Sequence, residues 1–560
     1  GINVVQLQPV SDRHKDYDQN GQVTYNWGYD PQNYNAPETS FSSNPDDPGQ
    51  AIRDLKTMIQ AYHDAGISVT LDVVYNHIYS TFDSAFQLTV PDYYYRMNPN
   101  GSFQNGTGVG SETASEHEMF RKFMIDSLRY WVEEFNVDGF RFDMMGDHDA
   151  ESIQKAYEEA KKLNPNLVML GEGWKTYAGD ENKPVQPADQ SWMKSTDTVG
   201  VFSDDIRNTL KSGYPNEGAP AFITGGKRNV EDVFKNIKAQ PTNFEADDPG
   251  DVIQYIAAHD NLTLFDVIAQ SIKKDPAIAA NNQEIHRRLR LGNLMVLTSQ
   301  GTPFLHSGQE YGRTKQFRDP AYKYPVSEDK VPNKSHLLTN ADGTPFEYPY
   351  FIHDSYDSSD AVNHFDWTKA TNGDKFPENT KSRDYVKGLI ALRKSTDAFT
   401  RKTKAEVDQN VTLITQPGKD GVEKEDTVLG YQVVASNGDI YAVFVNADNK
   451  ERKFNFGEAY KHLANAQVVA DGNTAGVTAI SNPAGVALGA DGVTLAPLTA
   501  TILRIQKNSK PNQEKPKEEQ NQTKPSTPKG ESGQTTTSST QSNTSASQTQ
   551  QQQAGAGKAD

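Results

Sequence analysis

The sequence predicts an α/β protein: a (β/α)8 barrel, then a small all-β sandwich, then a polar tail. Three observations carry this reading. Apolar strand patterns alternate with amphipathic helix patterns over residues 1–398. Short alternating strands with a hairpin signal replace them over 405–506. From Gln506 onward there is no Leu, Ile, Val, Met, Phe, Tyr or Trp.

The elements follow in order. Val4–Leu7 reads as a strand. Ile52, Leu55, Ile59 and Tyr62 recur at helical spacing, and Gly66 follows as a C-terminal cap. "ISVTLDVV" is a continuous apolar strand. A helix is predicted over about 119–135, then the strand "VDGFRFD", a helix over Ala150–Leu163 and the strand "NLVMLGE". "DTVGVF", "DVIQYIA" and "TPFLH" complete the strand set, and the last helix lies near 384–394. Apolar strands separated by helices make parallel βαβ units covered on both faces. Seven strands are found where a closed barrel has eight, so the first βα unit is expected upstream of Gly1. Beyond the barrel, "VLGYQVVASNGDIYAVFVNA" is two strands joined by Asn437-Gly438, a strong hairpin signal. The predicted organisation is a barrel over 1–398, a β-sandwich over 405–506, and a disordered spacer over 507–560, whose Lys, Pro, Glu, Gln, Ser and Thr cannot build a core.

Composition narrows the partners. The 560 residues include 74 acidic and 56 basic side chains, a formal net charge of −18. That argues against nucleic acid or an anionic membrane, which need clustered positive charge. It suits a soluble monomer with a neutral substrate. With no Cys, disulfides, Cys-ligated zinc and thiol catalysis are excluded. No apolar run approaches the roughly 18 residues of a membrane-spanning helix.

In such a barrel the chemistry sits at the C-terminal ends of the strands. "DVVYNH" places Asp72, Asn76 and His77 at the end of the third barrel strand, and "GFRFD" places Arg141 and Asp143 at the fourth. "LGEGW" brings Glu172 and Trp174 at the fifth, and "AAHDN" brings His259 and Asp260 at the seventh. A single Asp at a strand end is ordinarily a helix cap. Four strand ends supplying carboxylates or imidazoles point to a site. Strand alternation puts Arg141 and Asp143 on one face, with Phe140 and Phe142 on the other. Arg141 beside Asp143 favours an ionised carboxylate, suited to a nucleophile. Glu172 has no cation beside it in sequence and is expected to act as a general acid. A carboxylate paired with a carboxylic acid is the glycosidase arrangement. The rival is a hydrolytic metal site, but Arg141 would repel the ion and no HxH or HExxH spacing is present.

Taken in order, "DVVYNH", "GFRFDMM", "GEGW" and "AAHDN" resemble the four short motifs of the α-amylase superfamily of glycoside hydrolases. "YNWGYDP" at 25–31 resembles the signature of its type I pullulanase branch. The resemblance covers roughly residues 1–505. It implies Asp143 as nucleophile, Glu172 as acid/base and Asp260 as transition-state stabiliser. It further implies Arg141, His77 and His259 around the scissile sugar. Asp72 is expected to be structural. Asn76 matches a residue that helps hold calcium in relatives, so a structural calcium is expected there, while the chemistry needs no cofactor.

The aromatic cluster then has a purpose, because a pyranose offers an apolar C–H face to flat rings. Tyr29 is expected under the scissile sugar, with Tyr25 and Trp27 shaping the loop. Trp174 is expected on the leaving-group side, and Asn363 in a substrate loop. The implied activity is hydrolysis of α-1,6 branches in pullulan, branched dextrins or glycogen by a secreted or cell-surface bacterial enzyme, associated with the cell wall. The alternatives are an α-1,4-acting amylase, an isoamylase-type debrancher, or a glucan-binding surface protein.

Overall fold

The computed structural model describes residues 1–180 and 182–508. The spacer expected at 507–560 lies, but for its first two residues, outside the described residues.

Seven parallel strands form one sheet in chain order: β1 (Val4–Leu7), β2 (Ser68–Val73), β3 (Gly139–Phe142), β4 (Val168–Gly171), β5 (Val199–Phe202), β6 (Val252–Gln254) and β7 (Thr302–Pro303). Among the described residues β1 and β7 do not pair with each other. The sheet is a run of seven barrel strands left open, in the order the sequence predicts.

Local chemistry fixes the helices between them. α1 (Pro48–Asp64) starts where Asp47 accepts from Gly49 N and Pro48 supplies a helical φ. It stops before Gly66, whose φ of +73° suits a residue without Cβ. α2 (Glu118–Phe135) ends on Asn136 in the left-handed region, and α3 (Ala150–Leu163) begins where Asp149 accepts from Ser152 N. Phe140 and Phe142 on β3 are fully buried in one cluster with Leu128, Trp131 and Ile153 of these helices. Their burial turns Arg141 and Asp143 to the opposite face.

The C-terminal part is antiparallel. Val411–Leu413, Val428–Val434, Ile440–Asn446, Thr499–Ile505 and Gln467–Ala470 form a five-stranded sheet in that order. A three-stranded sheet of Arg452–Asn455, Gly492–Leu495 and Val486–Leu488 accompanies it. The Asn437-Gly438 hairpin is present, but its loop is longer than two residues. Ala435 N donates to Asp439 O at 2.8 Å and Gly438 N to Ala435 O at 2.9 Å, with Gly438 at φ +89°. One apolar cluster runs from Leu289–Leu297 into this sheet, where Tyr431 Oη donates to Thr298 Oγ1 at 2.6 Å. A hairpin that the sequence does not announce, Ser335–Thr339 with Pro345–Ile352, follows β7 in the chain and buries Leu338, Phe346 and Phe351 in the core.

Candidate active site

Arg141 is the hub. Parallel register sets Asp72 of β2 beside Arg141 of β3, and Arg141 is 2% exposed. Its Nη1 donates to both Asp72 oxygens at 2.9 and 3.0 Å and to Asp143 Oδ1 at 3.1 Å. Its Nη2 lies 3.1 Å from Glu172 Oε2. Burial opposes the guanidinium charge, but Asp72 and the other carboxylates outweigh it and hold the group well above its ordinary range. Asp72, fully enclosed, is pushed up to about 7 by desolvation despite Arg141.

Glu172 has no cation beside it in sequence, but in the fold Arg141 touches it as well as Asp143. Strand register brings β3 beside β4, a proximity that sequence distance hides. Glu172 also accepts from Met144 N at 2.9 Å. The two carboxylates thus hang from adjacent nitrogens of one guanidinium.

The aromatic loop is built around Gly28, whose φ is +103° and whose absent Cβ would sit 3.1 Å from Pro9. That turn sends Trp27 and Tyr29 to different places. Tyr29 stacks on His259 with centroids 5.2 Å apart and planes 15° from parallel, and the Arg141 guanidinium lies 5.9 Å from its ring centroid. Its hydroxyl donates to Asp72 Oδ2 at 2.6 Å, a link the sequence does not announce. Trp27 is buried edge-on to His259 at 4.9 Å. Tyr25 is half-buried.

Three expected ligand contacts are turned inward. His77 has Nε2 2.8 Å from Tyr29 O and Nδ1 2.6 Å from Asn76 Oδ1, so it ties the loop to the strand end. Asn363 donates to Ser355 O and Ser359 O and accepts from Ser355 Oγ and Trp27 Nε1. With those partners it braces the loop. Asn76 Nδ2 donates to Asp143 O and Oδ2, both at 2.9 Å. Its oxygen lies 2.6 Å from His77 Nδ1. Among the described residues, Asp197, Asp247 and Asp248 form an acidic grouping with metal-like spacing.

A cavity of about 680 Å³ opens beside Arg141 and Glu172, with Trp174, His259 and Asp260 in its wall. Burial among protein atoms, with Arg141 adding to it, lowers His259 to about 3 and keeps it neutral. Asp260 is pushed up towards about 7 by desolvation at the cleft wall and by the Glu172 charge, against Arg141, a push that is weakened because its side chain stays about half open to solvent. Trp174 packs near Arg207, 5.8 Å above its ring, and Arg207 donates to Tyr255 Oη at 2.9 Å. Arg207, Tyr214, Tyr255, His336 and His353 line the same cavity and carry no motif. Tyr255 directly follows β6, at a strand end.

Known proteins resemble this arrangement. A solved catalytic module of the multi-modular pneumococcal virulence factor SpuA is 62% identical with a TM-score of 0.87, covering 91% of this chain and 73% of that one. The chain belongs to the pullulanase family. The Group B Streptococcus pullulanase SAP is 54% identical with a TM-score of 0.85, covering 90% of this chain and 65% of that one. Pullulanase A of Streptococcus pneumoniae serotype 2 is 62% identical over 91% of this chain. This chain spans 41% of that curated relative's length. The family model for the SpuA C-terminal region matches residues 410–506.

Proposed function

We propose that this pullulanase-family chain hydrolyses α-1,6-glucosidic branch linkages in pullulan, branched dextrins or glycogen with retention of configuration. One observation carries the reading: a buried guanidinium holds Asp143 and Glu172, from adjacent strand ends, and Glu172 lies in the wall of an aromatic-lined cavity. Retaining glycosidases keep their carboxyl pair at the shorter spacing, about 5–5.5 Å, because no water has to fit between. Asp143 attacks the anomeric carbon while Glu172 protonates the departing glycosidic oxygen. Water then gives its proton to Glu172 and its oxygen to the anomeric carbon, releasing Asp143. Asp260 accepts hydrogen bonds from sugar hydroxyls, strengthened as positive charge develops. These steps use only the chain's carboxyl groups.

Relatives support the substrate class. SAP was solved with maltotetraose, and the pneumococcal relative is described as glycogen-degrading. That relative is also described as a virulence factor, which supports a secreted or cell-surface placement. Product analysis on pullulan is the test. Maltotriose as the sole early product supports α-1,6 cleavage, whereas panose or isopanose overturns it in favour of α-1,4 cleavage.

A further inference from the structure

Lys315 is a buried cation outside the carboxylate cluster, 3% exposed, and the chemistry above gives it no task. Its backbone is pinned on both sides: its N donates to Asp266 Oδ2 at 2.8 Å, and its O accepts from Ile352 N at 3.1 Å. The side chain therefore starts from a fixed point. Nζ donates to Ser355 Oγ at 2.6 Å and lies 5.2 Å from the Trp27 ring centroid. Ser355 Oγ donates to Asn363 Oδ1 at 2.8 Å, and Trp27 Nε1 reaches the same oxygen at 3.4 Å. Ammonium, hydroxyl, amide and indole close a ring of contacts. That ring joins the 25–31 aromatic loop to the 355–363 turn. Trp27 in turn abuts His259, on which Tyr29 stacks.

We propose that Lys315 is a positioning residue: its ammonium locks Trp27 and the 355–363 turn together and so holds the Tyr29–His259 platform against a bound glucan. The inference rests on the glucan-hydrolase reading for its kinetic test. A cation over an indole face is held by the ring's quadrupole, and the attraction grows as water is excluded. A neutral amine would keep the shape and lose that attraction.

Around Lys315, Asp266, Asp260 and Asp354 favour its charge, while Arg313 opposes it. His259 and His306 also feel it, and burial keeps both neutral. Burial outweighs the three acids and lowers Lys315 to about 7. The lock therefore loosens as pH rises through neutrality. Stability moves oppositely. Between about 7 and the ordinary 10.5 the unfolded chain holds a proton the folded chain has lost, so this contribution to stability rises with pH.

The experiment compares Lys315→Met with wild type on pullulan from pH 5.5 to 9. Lys315→Met should raise KM roughly tenfold at pH 6 with a smaller change in kcat. The difference should vanish near pH 9, where the wild-type lysine is itself neutral. A ratio constant across pH, or no effect at pH 6, overturns the proposal. Ser355→Ala, a small change, covers the case in which Lys315→Met fails to fold: removing the Nζ acceptor should move the alkaline limb to lower pH, and an unmoved limb overturns the proposal. Near-ultraviolet circular dichroism of the indoles separates the two readings. A pH-dependent change near neutrality in wild type, absent in Lys315→Met, supports the lock even if no glucan is cleaved. Its absence from wild type counts against the lock whatever the activity.

Discussion

Arg141 makes the site's carboxylates interdependent, because one guanidinium serves Asp72, Asp143 and Glu172. Asp143→Asn should cut turnover by several orders of magnitude with the fold kept, since an amide cannot form the glycosyl ester. Near-wild-type activity in clean protein would sink the nucleophile assignment. Glu172→Gln should be equally harmful with natural glucans and milder with α-glucosyl fluoride, whose leaving group needs no proton; equal loss on both would refute the acid role. Asp260 links activity to pH. Raised to about 7 from 3.8, it loses its charge as pH falls through 7, so activity should decline there. For stability the sign is reversed. The folded chain keeps a proton that the unfolded chain releases near 3.8, so this stabilisation is complete below that value and is lost as pH rises through 7. Asp260→Asn should therefore be inactive, yet gain melting temperature over wild type more at pH 8 than at pH 5. Equal gains at both pH values would show that Asp260 is not desolvated in the folded protein.

Elements show where sequence patterns suffice and where they stop. Val4–Leu7 and Ala150–Leu163 form at the predicted residues because local apolar spacing and capping agree with the tertiary setting. "DVIQYIA" has the pattern of a strand, but β6 keeps only Val252–Gln254; the chain leaves the sheet there to carry His259 and Asp260 into the cleft. β7 shrinks to two residues, and Pro303 has no N–H to extend a ladder. Motif order picked out Asp143 and Glu172, which the fold then brings together at Arg141. What it could not show was partnership across strands. Tyr29 with Asp72, Arg141 with Glu172, and Lys315 with Ser355 are each set by register or loop closure between distant residues. The turn at Gly28 joins both levels. Gly28→Ala would force a side chain into a left-handed backbone 3.1 Å from Pro9, a strain of about 1–3 kcal/mol. Its melting temperature should drop, and kcat/KM should drop further than instability explains, because Tyr29 moves with the loop. Unchanged kcat/KM at a temperature where the variant is folded would show that the Tyr29 platform does not depend on this turn.

At the scale of the described residues, the parallel sheet has an edge strand at each end. A closed barrel has no free edges, but here β1 pairs only with β2, and β7 only with β6, among the described residues. Val4 on the outer strand is 39% exposed, and neighbouring Ile2 is 45% exposed. A strand edge with unpaired N–H and C=O groups and apolar side chains is a template for pairing with another chain. All the carboxylates of the site are nonetheless in place, since Arg141 binds strands in the middle of the sheet. Residues 1–508 prepared as a separate protein should therefore self-associate in a concentration-dependent way, read by size-exclusion chromatography with light scattering. Val4→Lys should suppress that association, because a charged side chain at an edge disfavours docking of a second strand and an exposed position tolerates it. Association that is unaltered in Val4→Lys would locate the sticky surface elsewhere. A monomer at all concentrations would mean that the edge of β1 is shielded without a partner strand.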